Sequence, residues 1–421
     1  MRKLDFASLQ ARDLKVSKDF YIYQMNLRNI LSVLAVIICI TSSFSQNVNK
    51  LPDSLIVKNV FTYKNESFEG KGWDLIKREL TNSHVVFVGE LHGVVEVPLF
   101  TGKIADIIQP KALVVEIDPY TATKLEKIAK NPAGYSDYFK RKPYDFAFYS
   151  WQAEMNLARK MTLSNIQIWG VNEINFLSLP TFFETLASNA VQVSNKKIAL
   201  KKAAKYAKND LPLYSDANKY NNFIAYRIKT AEMDSLLYDF RNESKLSQKM
   251  LKDLKLSLPI FANTSYMTRL SLMKKNLLNY LYPYITNDEI MIPKLLFKLG
   301  ANHASRGSFE VSDLADNLID AADKKSLHIL IIGKQGTINA MAPTDNTKAI
   351  VAYNGLEEFN ELLPFLEKVG DNEWVVYDLR PIRRLLNRDK LMINDPKLKK
   401  YVMGYDLLVL VDKTTGDKFV E

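Results

Sequence analysis

Three continuous apolar runs, at residues 84–88, 112–117 and 166–171, stand in the first half of the chain, each bounded by polar or turn-forming residues. Short apolar runs without alternation fit strands buried on both faces, as in a parallel sheet. Between and before them, residues 95–108, 120–130 and 146–161 repeat apolar positions with a helical period. Pro110 stops the first of these helices, and Pro119 suits the first turn of the second. This β-α-β-α-β order predicts parallel strands joined by right-handed crossovers. Upstream, residues 46–80 read as an irregular lead-in ending in a short helix at 73–80, and 134–143 reads as a loop.

The pattern then changes. Residues 180–283 contain no strand signal and hold long helical stretches, at 181–206, 221–240 and 267–281. Strand patterns resume at 294–299 and 327–332, with a helix at 311–321 between them. Residues 346–367 give a short strand (349–352) and a helix, and late strands are expected at 374–377 and 407–411. The fold class read from this is α/β: a mainly parallel sheet flanked by helices, with a large all-helical insertion. The first part of the α/β domain is expected at 46–178, the insertion at 179–288, and the second part at 289–421.

Composition narrows the picture. Hydrophobic residues are 47% of the 421, enough for a sizeable core. The single cysteine, Cys39, lies in an N-terminal apolar run. Disulfides, zinc–thiolate sites, iron–sulfur clusters and a cysteine nucleophile are therefore excluded from the remainder. Arg28, the apolar stretch 30–40 and the small residues of Ser43-Phe44-Ser45 read as a secretory signal cut before Gln46. Residues 1–45 are thus expected to be a signal peptide with an upstream extension, Met25 being an alternative start to Met1. The apolar run is shorter than the roughly 20 residues a bilayer span needs, so no stable transmembrane anchor is expected after cleavage. The protein is expected to be exported, to a periplasm or the cell surface. The net charge is +10, concentrated in lysines at 196–208 that read as a solvated helix face. No nucleic-acid motif accompanies them, so a small molecule or a peptide is the expected partner.

Histidine is scarce, with four in the chain. Two share one pattern, Gly89-Glu90-Leu91-His92 and Gly300-Ala301-Asn302-His303, each directly after a strand. In open α/β sheets ligands bind at that carboxyl edge, and glycine lets the chain turn sharply there. Glu116 lies near the end of the otherwise apolar run 112–117, where an ionised carboxylate is costly unless it is paired, hydrogen-bonded or near the sheet edge. If the strands at 84–88 and 112–117 are neighbours, Glu116 faces His92 or Glu90. A carboxylate orienting an imidazole suits general-base chemistry, so His92, Glu116, His303 and Glu90 are the candidate catalytic residues. Glu96, Asn302, Arg306 and Glu173 are expected to bind substrate around them. Glu116 paired with Arg306 or a lysine as a purely structural carboxylate is the bland alternative. His84 and His328 read as surface residues. Two histidines with carboxylates and no cysteine are also a donor set for Mn, Co or Zn, with His92, His303 and Glu116 as ligands. The chain has no G-x-S-x-G elbow, P-loop, H-E-x-x-H or C-x-x-C-H.

The paired motifs and the strand glutamate resemble the superfamily that groups erythromycin-esterase-like hydrolases, ChaN-like haem-binding proteins and Tiki/TraB-type metalloproteases. Its members are alike in two G-x-x-H motifs, here at 89–92 and 300–303, and one glutamate on a strand, here Glu116. The run Val86-Phe87-Val88-Gly89-Glu90-Leu91-His92-Gly93, with Glu96 beyond, is especially similar to the esterase branch. The resemblance spans 75–180 and 290–335, and implies an exported hydrolase of ester or amide bonds. The ChaN-like branch implies instead a haem- or iron-uptake protein without catalysis.

Overall fold

The computed structural model describes residues 51–214, 222–262, 265–286, 289–307, 309–340 and 346–420. The signal and upstream extension expected at 1–45 lie outside the described residues. Among the described residues ten strands form one sheet: β1 Asn59–Lys64, β2 Ser67–Glu69, β3 Val85–Glu90, β4 Ala112–Val115, β5 Gln167–Gly170, β6 Leu295–Gly300, β7 Ser326–Asn339, β8 Ile350–Asn354, β9 Trp374–Asp378 and β10 Leu407–Thr414. Their order is β2-β1-β9-β10-β7-β3-β6-β4-β5, with β8 paired to β7. From β10 to β5 every pairing is parallel; β9, β1, β2 and β8 run antiparallel to their neighbours. The fold is α/β, as the apolar runs predict.

Both faces of the central strands are covered, which is why they carry uninterrupted apolar runs. Val86 and Val88 of β3 pack into a core shared with Phe100, Ile104 and Met155, from the helices Glu96–Ile108 and Gln152–Leu163. Val85 and Phe87 enter the opposite core with Met273 and Leu277 of the helix Tyr266–Leu281 and with Val402 of Pro396–Gly404. Between β5 and β6 the described residues form helices and their connections, with the bridge Ile285–Ile290. There the helices Leu179–Asn189, Val193–Asp210, Thr230–Asp239 and Lys245–Phe261 bury a core of their own around Phe183, Tyr206, Phe240 and Leu254. Tyr266–Leu281 packs on the sheet instead and carries a side chain to its edge. Among the described residues no helix is long and apolar enough to cross a membrane.

Four local expectations need correction. The lead-in contains the hairpin β1–β2, turned at Asn65-Glu66, both with positive φ (49° and 60°), the geometry of a two-residue hairpin loop. Residues 134–143 hold the helix Tyr135–Arg141, fixed because Tyr135 and Phe139 are buried. The helix expected at 146–161 is broken: Trp151 is extended and bridges to Phe419, and the regular helix begins at Gln152. His328 is not on the surface but fully buried, stacked on Phe87 and bonded to Ala304 O and Asp316.

Gly89 does not serve a sharp turn. It lies inside β3, and a Cβ there would meet the ring and hydroxyl of the buried Tyr405 at 2.2–2.8 Å. Tyr405 cannot withdraw, because its hydroxyl donates to Ala301 O in the second motif loop. Gly89→Ala is therefore expected to lower stability by about 1–3 kcal/mol through overpacking, read as a fall in the urea midpoint.

Candidate active site

The strands β3, β6 and β4 end side by side at their carboxyl edge, and they deliver the motif residues there. β3 and β4 are not neighbours, contrary to the condition on which Glu116 was expected to meet His92; β6 lies between them. The two side chains meet across the last residue of β6, Gly300. A Cβ on Gly300 would lie 3.3 Å from both Glu116 Oε2 and His92 Nε2. The glycine of the second motif thus leaves the space in which a histidine and a glutamate from flanking strands come within 3.6 Å.

His92 Nδ1 donates to Glu90 Oε1 at 3.0 Å, and its ring stacks on Phe148 with centroids 4.0 Å apart. That bond leaves Nε2 as the unprotonated nitrogen when the ring is neutral. Burial alone would lower the His92 pKa; the Glu90 charge and hydrogen bond, with the Glu116 charge, overcome it and hold the pKa above its ordinary value. His303 stands in a matching pair: Nδ1 donates to Glu310 Oε2 at 2.7 Å, and Tyr266 donates to the other Glu310 oxygen at 2.6 Å. Glu116 lies between the imidazoles, 3.6 Å from each Nε2. Burial would raise its pKa, but His303, His92 and Arg269, with the Gly300 N–H at 2.9 Å, bring it down to about 2. It is an anion throughout the neutral range.

Arg269, from the helix Tyr266–Leu281, was not expected at the site. Its Nη2 donates to Glu116 Oε1 at 2.6 Å, Nη1 to His303 Nε2 at 3.1 Å, and Nε to Glu173 and Asn172 at 3.0 and 3.2 Å. Glu173 is thus held at the site through Arg269. Behind His92, Lys298 of β6 donates to Glu90 at 2.7 Å and to Glu154 at 2.5 Å. Burial works against the charge on Lys298, but both carboxylates raise its pKa above the ordinary value. Burial pushes Glu154 up to about 7, while Lys298 and His92 outweigh burial at Glu90 and hold it below its ordinary value. Lys298 interrupts an apolar strand as Glu116 does, and Glu310 opens a helix as a capping-box residue, so both left a signal in the sequence. Arg269 left none.

Three expected substrate contacts lie elsewhere. Glu96 accepts the Thr415 backbone N–H at 3.0–3.1 Å, because the helix it opens turns it toward the strand end of β10. Asn302 is exposed and accepts from Lys400. Arg306 is drawn to Asp406 and Asp316 at 2.8 and 3.0 Å, beside Ser326 at the amino end of β7, the opposite sheet edge. The Mn, Co or Zn expectation for His92, His303 and Glu116 does not fit either. The Arg269 guanidinium already touches both His303 and Glu116, and a divalent cation at the same donors would meet a fixed positive charge. Among the described residues no group of three or more His, Cys, Asp or Glu is arranged to hold a metal ion.

Solved structures share this architecture. A mutant of the erythromycin esterase EreC in its open conformation superposes with a TM-score of 0.51 at 12% identity, over 87% of this chain and 100% of the esterase. The chain has the fold of an erythromycin esterase. A succinoglycan biosynthesis protein gives 0.51 at 12% identity over 90% and 99% of the two chains, and a Bacillus cereus protein gives 0.50 at 14% over 82% and 92%. No protein-family model matches the sequence, and no curated protein matches it. The strand order accounts for where these residues meet: both motif loops leave the carboxyl ends of adjacent parallel strands, and the helix Tyr266–Leu281 brings Arg269 to the same edge.

Proposed function

We propose that the protein is an exported hydrolase of ester or amide bonds, with His92 as general base. The observation that carries this reading is the Glu90–His92 pair. Glu90 accepts the Nδ1–H, so the Nε2 lone pair is left facing Glu116, and the His92 side chain keeps 22% of its surface exposed. A water bound between His92 Nε2 and Glu116 Oε2 is oriented by both. His92 takes its proton as the oxygen attacks the substrate carbonyl carbon. The charge that develops on the carbonyl oxygen is met by Arg269, two of whose five N–H groups remain after its bonds to Glu116, His303 and Glu173 are counted. Collapse of the tetrahedral intermediate expels the alcohol or amine, which takes the proton back from the His92 imidazolium.

The test is hydrolysis of a panel of activated esters, lactones and anilides by the purified protein across pH. Because only neutral His92 acts as base and its pKa is raised, kcat/KM is expected to climb with pH and to reach a plateau, with a midpoint above the ordinary histidine value of about 6.5. Absence of turnover on every substrate, or a rate independent of pH across that window, would defeat the proposal.

A further inference from the structure

We propose that Lys298 is a positioning residue of this site: anchored from behind by Glu154, its ammonium fixes the Glu90 carboxylate against His92 Nδ1. The inference rests on the reading of His92 as the base. Lys298 stands in the middle of β6, paired with Val88 on one side and Val115 on the other, and is 2% exposed. Every other residue of Leu295–Leu299 is apolar and buried. Lysine is almost never fully buried unless paired, and an apolar residue in place of a buried ion cluster is commonly neutral or stabilising. The position is thus an expensive one to fill with a charge for the sake of the fold alone.

The contacts show what the charge does. One Glu90 oxygen, Oε1, receives both the Lys298 ammonium at 2.7 Å and His92 Nδ1 at 3.0 Å. The other, Oε2, is buried without a partner, as are Glu154 Oε2 and the Tyr149 hydroxyl. Nothing else among these contacts therefore sets the rotation of the Glu90 carboxylate. Without Lys298, the bond to His92 is the one side-chain hydrogen bond left among these contacts to orient the Glu90 carboxylate. Glu154 in turn keeps the ammonium in place, with the Tyr149 ring 5.8 Å away and Asp417 close behind on the amino end of the Glu154 helix. The charged groups facing His92 are Glu90, Glu116 and, through Glu90, Lys298, and Phe148 stacks on the ring.

The consequence is the choice of tautomer. Free neutral imidazole carries its proton on either nitrogen, whereas a fixed Glu90 selects the Nδ1–H form that leaves Nε2 basic. The test is 15N NMR of the four histidine side chains, with the His92 signal assigned by its loss in His92→Asn. In the wild-type protein at high pH His92 is expected in the Nδ1–H form. Lys298→Met alone strands two buried carboxylates, so Lys298→Met/Glu154→Gln is the variant that keeps the test decisive if the single change unfolds. In the folded variant the Nε2–H tautomer is expected to appear, and kcat/KM to fall on the order of 100-fold with KM little changed. A folded double variant in which His92 stays in the Nδ1–H form overturns the proposal. The tautomer is read without any substrate. A tautomer shift in a protein whose wild type hydrolyses nothing upholds the positioning role and overturns the hydrolase reading instead.

Discussion

Replacing His92 by asparagine is expected to lower kcat/KM on the order of 1,000-fold, within the range general-base catalysis contributes. Asparagine keeps an N–H that reaches toward Glu90 Oε1, where His92 Nδ1 now donates at 3.0 Å, but it has no basic nitrogen at the position of Nε2. Glu90 remains paired with Lys298, so no buried charge is stranded. The Phe148 ring loses its stacking partner, a loss of about 1 kcal/mol at most. The effect should therefore fall on kcat, with little change in KM or in the urea midpoint. Steady-state kinetics on the pH plateau, with unfolding measured on the same sample, separate these quantities. Activity retained within tenfold would remove His92 from the chemistry. The rising limb of the pH profile should vanish in the variant, since the group that titrates there is gone.

How far the sequence discloses this site depends on the kind of signal each residue leaves. β3, β4, β5 and β6 are legible because strands covered on both faces must be apolar throughout, and Glu116 stands out as the charge that breaks such a run. By the same rule Lys298 is as visible as Glu116: it breaks the apolar run of β6 two residues before the motif glycine Gly300. Strand order is not written in local pattern. A parallel sheet lets chain-distant β6 insert between β3 and β4, so the space at Gly300 emerges only when three strands are laid together. Sequence proximity misled at Glu96 and Arg306. Each is close to a motif histidine along the chain, but a helix start turns one to Thr415 and a loop carries the other to the far edge of the sheet. Arg269 sits 153 positions from Glu116 on a helix whose buried residues, Leu270, Met273 and Leu277, give no hint of a site. Its role is set by how that helix docks on the sheet, which no local pattern encodes.

Arg269→Met should cost both stability and catalysis at this edge. Methionine matches the arginine stem in length and keeps its apolar packing, but it leaves Glu116, whose side chain is 7% exposed, without the cation 2.6 Å away. Removing one partner of such a pair costs about 3–5 kcal/mol when fully buried; the lower end, about 3 kcal/mol, is expected here because 22% of the Arg269 side chain meets solvent. The pH dependence follows from the sign of the Glu116 shift. Its carboxyl is depressed from 4.5 to about 2 in the folded protein, so it stabilises the fold above the ordinary carboxylate range and loses that contribution as pH falls toward 2. With Arg269 gone the depression shrinks, and the difference between wild type and variant should narrow in acid. Activity should fall by a further independent route, because the donors aimed at the developing oxyanion are lost, a change of about 100- to 1,000-fold in kcat. The double variant Arg269→Met/Glu116→Gln distinguishes the two effects. Neutralising Glu116 should return much of the unfolding free energy, since the stranded charge is removed, and none of the kcat. A double variant that recovered catalysis along with stability would mean that Arg269 only balances Glu116, and that the oxyanion is met by some other group.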